Sequence, residues 1–212
     1  MKKNRLMRLA MRATFVLMVP GIMFAASCSR EEPPKPRAVE AVNPYSADSV
    51  YQELQKKLKD NPNDADALYH LADLYDRNAQ YSEAIETYKK VVTLRPDMGY
   101  AYFKMGTAYD RLDKAAEAVA EFRKAARHLP NHPVLYNNMG IAYGKLGKSR
   151  DEIQSLKKAI QLRPTYSAAR YNLGMTYLRI GDRKAAMKEY EALDRFDSGT
   201  AAALKKEIDK AS

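Results

Sequence analysis

After residue 45, apolar side chains recur at helical rather than strand spacing. Leu68, Leu71, Ala72 and Tyr75 follow the i, i+3, i+4, i+7 rule of a helix with one buried face, and Tyr102, Met105, Gly106 and Tyr109 repeat it one period later. The stretches 67–96, 101–130, 135–164 and 169–198 align without a gap, so the pattern predicts four units at residues 65–98, 99–132, 133–166 and 167–200. Pro96, Pro130 and Pro164 recur near the end of the first three units, where a residue without an amide hydrogen stops one helix and sets the entry to the next. Each unit is therefore expected to be a helical hairpin. Residues 46–60 place Val50, Leu54 and Leu58 on one face ahead of Pro62, and residues 201–211 do the same with Leu204 and Ile208. These predict capping helices within 46–64 and 201–212, covering the apolar ends of a stack.

Two columns of small residues run through the units. Ala72, Gly106, Gly140 and Gly174 share one, Ala84, Ala118 and Ala186 the other, as helices need where their backbones cross closely. With Leu-Ala-x-x-Tyr in the first unit, Met-Gly-x-x-Tyr in the next two and Leu-Gly-x-x-Tyr in the fourth, residues 65–200 resemble the tetratricopeptide repeat family. The resemblance implies an all-α fold, a right-handed superhelical solenoid of helix-turn-helix repeats with a capping helix at each end. Glu152 departs from the small-residue column. With Ser149 it forms an S-x-x-E pattern, which predicts a capping box in which the carboxylate turns back to its own helix start. Arg170, Leu193 and Ser198 depart in the fourth unit, as expected of a terminal repeat.

The first 45 residues follow other rules. Residues 1–12 hold five basic side chains and no acidic one, residues 13–26 are apolar apart from Thr14, and Ala25, Ala26 and Ser27 precede Cys28. This is the build of a secretory signal peptide, residues 1–27, and too short an apolar run to span a bilayer comfortably. Ala25-Ala26-Ser27-Cys28 resembles a bacterial lipobox, departing from it at Ala25, where leucine is usual. The resemblance implies that Cys28, the only cysteine, is lipidated and becomes the mature N-terminus; ordinary cleavage leaving a free thiol stays open. Ser29 after the cysteine implies, by the sorting rule of such lipoproteins, an outer membrane facing the periplasm. Residues 28–45 then form the lipidated cysteine and a proline-rich linker, with little to bury.

Composition changes this picture little. The chain has 212 residues, 46% of them hydrophobic, and a formal charge of +10. Five of its 36 basic residues lie in the signal segment, and without them the excess over 26 acidic ones falls to +5. Spread over helical surfaces, that excess argues against a nucleic-acid partner. His70, His128 and His132 show no metal-ligand spacing, and no phosphate loop or nucleophile motif occurs, so no metal, no cofactor and no catalysis are expected.

One residue beyond each buried column lies a second stripe: Tyr69 and Asp73, Phe103 and Thr107, Asn137 and Ile141, Tyr171 and Met175. The spacing turns it about 100° from the seam. The family resemblance implies that it lines the concave groove, and that Asn138 and Asn172 there grip a peptide backbone. Tyr69, Asp73, Phe103, Thr107, Asn138, Ile141, Tyr171, Asn172 and Met175 are the expected partner-binding residues. The groove is expected to grade from acidic at Asp66, Asp73 and Asp76 to basic at Lys104, Lys145 and Arg179. Lys89-Lys90, Arg123-Lys124 and Lys157-Lys158 on the second helices are expected to form a solvated outer face.

Two readings of function follow. The first is a membrane-anchored scaffold or adaptor that binds an envelope protein or an extended peptide segment during assembly or export of envelope complexes. The second is a glycan-binding tether at the cell wall or in polysaccharide export, its tyrosines stacking on sugar rings.

Overall fold

The computed structural model describes residues 48–211, which form ten helices and, among the described residues, no strand. The signal segment, Cys28, the linker and the first two residues of the N-terminal cap lie outside the described residues. Helix α1 is Ser49–Asp60. Four hairpins follow: α2 (Ala65–Arg77) with α3 (Tyr81–Leu94), α4 (Gly99–Arg111) with α5 (Ala115–His128), α6 (Pro133–Lys145) with α7 (Ser149–Leu162), and α8 (Ser167–Arg179) with α9 (Arg183–Asp194). Helix α10, Ser198–Lys210, closes the stack.

Curvature follows from which helices meet. The backbone of each first helix comes within 8 Å of the next first helix, from α2 through α4, α6 and α8 to α10, whereas the backbones of α3, α5, α7 and α9 make no such approach to one another. The first helices are therefore the inside of the curve and the second helices the outside. Within a hairpin the turn is set by one residue in the left-handed region: Ala79 at φ 60°, Asp113 at 57°, Gly147 at 69° and Gly181 at 80°. These four share one register. Only a residue with positive φ there aims the chain straight back along the helix it has left.

The glycine column does what its spacing predicts. A Cβ on Gly106 would lie 2.7 Å from the Phe122 ring, and one on Gly140 would lie 2.8 Å from Leu156 Cγ. Phe122, Leu156 and, one repeat earlier, Tyr88 are fully buried plugs of the second helices. Each contributes about 1.5–3 kcal/mol of apolar burial. Gly174 differs, because the side chain that fills its space is Leu204 of α10, 2.6 Å from the ideal Cβ position. The cap thus stands in for a next repeat, burying Ala201, Leu204 and Ile208 with Ala186 and Leu193. It starts at Ser198, within the last residues of the fourth unit, because the Asp197 carboxylate accepts from the Thr200 amide (3.0 Å) and hydroxyl (2.8 Å). At the other end α1 lays Leu54 over Ala67 and Leu71.

Candidate functional site

The inner face divides into two halves. In the first two repeats the predicted groove residues are held by their neighbours. Tyr69 is half-buried and packs against Tyr88, ring centroids 5.8 Å apart. Burial raises its hydroxyl above the ordinary phenol range. Phe103 lies between Phe122 (6.1 Å) and His132 (5.0 Å). Asp73 is buried and makes ion pairs with Arg77 on its own helix and with Lys104 of α4 at 2.6 Å. Its burial would raise the carboxyl, but the Lys104 and Arg77 contacts outweigh this and hold it below the usual carboxylate value. The Thr107 hydroxyl is turned back to the Phe103 carbonyl (3.0 Å).

Part of the charge gradient expected from sequence is answered within the protein. Asp73 meets Lys104, Asp110 meets Lys145 at 2.7 Å, and Glu152 meets Arg179, so the acidic and basic groups answer one another between successive repeats. Residues that a single repeat presents as free become paired once the next repeat is stacked on it.

In the last two repeats the face opens. Ile141, Asn172 and Met175 line one cavity of about 580 Å³, with Leu178 and Arg179 beside them and Lys210 of the cap at its rim. Tyr171 and Asn172 line a second of about 500 Å³ between α8 and α10. Asn172 belongs to both. Asn138 does not line either cavity and instead accepts from the Asn137 amide at 3.3 Å.

Two features escaped the sequence reading. Asn137, in the stripe but not singled out, is buried and receives a 3.0 Å hydrogen bond from Asn172, so an amide ladder runs Asn172, Asn137, Asn138 across α8 and α6. The second corrects the capping box. Helix α7 starts from Lys148 with no side-chain cap, and Ser149 already lies inside it. The Glu152 carboxylate reaches forward instead, accepting from the Thr176 hydroxyl (2.6 Å) and pairing with Arg179, whose guanidinium also donates to the Ser149 hydroxyl (3.1 Å). Gly144 makes this possible, since a Cβ there would lie 2.8 Å from Glu152 Oε1. The carboxylate side chain is 10% exposed and that of Arg179 45%, so Arg179 is fixed from behind and presents its remaining N–H groups to the groove. A glutamate in a column of alanines, one turn from a glycine in the preceding helix, was the signal that could have found it.

The histidines have structural places. His132 is the N-cap of α6, accepting from the Leu135 amide at 3.1 Å, and is half-buried. His128 stacks on Tyr102. Among the described residues no group of three or more His, Cys, Asp or Glu side chains is placed to hold a metal ion.

Models of tetratricopeptide repeats match residues 65–98, 100–132, 134–166 and 153–208. Among curated proteins no sequence matches the chain. Solved structures share the fold. A crystal structure of MamA is 24% identical, covering 75% of this chain and 88% of its own, with a TM-score of 0.65. YrrB, described as a tetratricopeptide protein with an unusual peptide-binding site, is 23% identical over 74% of this chain and 86% of its own, TM-score 0.63. The first such domain of Spaghetti (RPAP3), bound to the HSP90 peptide SRMEEVD, is 23% identical over 55% of this chain and 93% of its own, TM-score 0.54. A fold of this kind suggests a protein-interaction scaffold, and such scaffolds are generally not enzymes.

Proposed function

The chain belongs to the tetratricopeptide repeat family, and on that premise we propose that it is a lipid-anchored scaffold of the bacterial cell envelope whose inner face binds an extended segment of a partner protein. The observation that carries the binding site is the open groove of the last two repeats. Ile141, Met175 and Leu178 give it an apolar floor, Asn172 offers an amide, and Arg179 is held in place by Glu152. Such a surface takes an apolar side chain and fixes backbone direction through hydrogen bonds. YrrB and the RPAP3 domain, described with a peptide-binding site and a bound peptide respectively, support a peptide as the class of ligand. A sugar is disfavoured at Tyr69 and Phe103, whose rings are packed against Tyr88, Phe122 and His132.

The anchor rests on Cys28 and the segment before it. No described helix is long and apolar enough to cross a membrane. Acyl chains on Cys28 would supply the attachment, each buried methylene adding about 0.8 kcal/mol. Mass spectrometry of the membrane-extracted protein tests this: a mature chain starting at acylated Cys28 is expected, and an unmodified soluble chain overturns it.

Binding is tested with the partner recovered by crosslinking from the native envelope. Ile141→Ala with Met175→Ala should weaken capture by about tenfold to a hundredfold at unchanged helicity. Unchanged capture removes the groove from the proposal.

A further inference from the structure

A larger cavity, about 950 Å³, lies on the opposite side of the third repeat, in the cleft between α5 and α7. Its floor is a row on α6, Tyr136, Met139 and Tyr143, none of them fully buried. Around it stand Arg123, Arg150, Lys157 and Lys158, with Asp151 as the one carboxylate in the lining. None of the four cations makes an ion pair among the described residues: Lys158 reaches Gln161 (3.5 Å), and Lys157 lies over the Tyr177 ring (5.9 Å), which leaves its charge in place.

The repeat itself shows how this arose. In the first hairpin Lys89 is paired with Glu86 at 2.7 Å, and in the second Lys124 is paired with Glu121 at 2.8 Å. The residues in the same two registers of the third hairpin are Lys157 with Gln154 and Lys158 with Ser155. The Ser155 hydroxyl is turned to its own helix at the Asp151 carbonyl (2.8 Å). The cations of the outer face are thus kept while the carboxylates that neutralise them are replaced, and this happens at a cavity of about 950 Å³ lined by two tyrosines.

We propose that this outer cleft is a second docking site, for an acidic segment of a partner protein that carries an apolar or aromatic residue. Carboxylates of the segment supply the charges that Glu86 and Glu121 supply in the earlier repeats, and its apolar residue covers Met139 and the two tyrosines. The recessed floor favours a chain over a flat anionic bilayer, which would meet only the cations at the rim. Gln154 and Gln161 in the lining give amides for a peptide backbone. The site is independent of the inner groove, so the scaffold holds two partners, or two segments of one, on opposite faces.

The probe is a fluorescently labelled peptide of about ten residues, rich in Glu and Asp around one Phe, titrated by anisotropy against the intact chain at moderate salt. A peptide with Gln and Asn in place of the acids, and vesicles containing anionic phospholipid, are run beside it. The acidic peptide should bind and the amide peptide should not. Gln154→Glu, nearly isosteric and restoring the arrangement of the first hairpin, should weaken binding several-fold. Arg123→Gln with Lys158→Gln should weaken it about tenfold, at unchanged circular dichroism. Ile141→Ala with Met175→Ala should leave it unchanged, which separates this site from the inner groove. No binding of the acidic peptide, equal binding by the outer-face variants, or vesicle binding in its place overturns the proposal.

Discussion

Tyr69, Phe103, Asn137 and Tyr171 occupy the same register in four successive first helices, as do Asp73, Thr107, Ile141 and Met175. In the first two repeats the occupants of these registers are consumed: Tyr69 by Tyr88, Phe103 by Phe122 and His132, Asp73 by Lys104 and Arg77. In the last two, Ile141, Tyr171 and Met175 line cavities, although Tyr171 and Met175 also pack partly against the core under α10. Register decides which way a side chain points. Whether it is free depends on what its own second helix and the next repeat set against it: Tyr88 and Phe122 belong to the same hairpin as the rings they cover, whereas His132 and Lys104 come from the next one.

The largest loss is expected in the third hairpin, where the open half begins. Gly140→Leu forces a branched side chain into a site where even a Cβ meets Leu156 at 2.8 Å and the Glu152 carbonyl at 3.4 Å. Backbone cannot yield as a surface side chain can. A loss of about 3 kcal/mol is expected in urea unfolding, together with weaker partner capture, because α7 also carries the glutamate that fixes Arg179. A loss below about 1 kcal/mol would show that the third crossing is looser than its contacts say.

Phe103→Ala sharpens the same contrast. Its ring is half-buried among Phe122 and His132, so removal should cost about 2 kcal/mol of stability while leaving partner affinity within error. The reverse result, intact stability and lost binding, would move the binding site into the first two repeats.

The turns provide a third test. The left-handed residue is Ala79 or Asp113 in the early repeats and Gly147 or Gly181 in the late ones. A side chain in that region costs about 1–2 kcal/mol, so Ala79→Gly should raise the urea midpoint, with a net gain of up to about 1 kcal/mol after the entropy of the added glycine. Gly147→Ala should lower stability by a similar amount, although a Cβ there meets nothing within 4 Å, because the penalty is in the backbone. Opposite signs are the expected outcome.

How much of this was legible in the sequence follows from the range of each interaction. The 34-residue register, the glycine column and the stop prolines are local statements repeated four times, and the helices follow them. The pairing of Glu152 with Thr176 and Arg179 is not local: Ser149 and Glu152 satisfy a capping pattern on paper, but Ser149 is already the first helical residue, one place too late to cap. The ladder through Asn137 was hidden for the same reason, since its partner Asn172 belongs to the next repeat. The outer cleft needed both kinds of reading, because it rests on carboxylates present in two repeats and missing from the third.

His132 makes a pH-dependent version of the comparison. It caps α6 and also packs on Phe103, linking the closed half to the open one. Burial, with Arg163 adding to it, holds the imidazole below its ordinary value. A base depressed in the fold contributes stability that is present above its unfolded value, near about 6.5, and is lost as pH falls through the lower folded value. Protonated Nδ1 can no longer accept from Leu135, so unfolding followed from about pH 7.5 to 5.5 should show a loss of up to about 1 kcal/mol. His132→Asn keeps a cap and should flatten that profile; an unchanged slope would assign it to another group.

The smallest effect separates two carboxylates one turn apart on α2. Asp73 is held low by Lys104 and Arg77, whereas Asp76 is raised, first by burial and then by the neighbouring Asp73 charge, which outweigh the attraction of Lys104 and Arg111. The signs are opposite. Asp73 gives stability that is present above the ordinary carboxylate value and lost as pH falls through its lower folded value. Asp76 gives stability only in acid, present below the ordinary value and lost as pH rises through its higher folded one. At neutral pH Asp73→Asn should therefore destabilise, leaving Lys104 without its partner, while Asp76→Asn should stabilise by less than about 0.5 kcal/mol. The gain should fade on acidification, when the native Asp76 is protonated and resembles the amide. If Asp76→Asn destabilises at neutral pH, its charge is answered by Lys104 or Arg111 after all, and the inner face of the first two repeats is closed by a third carboxylate as well.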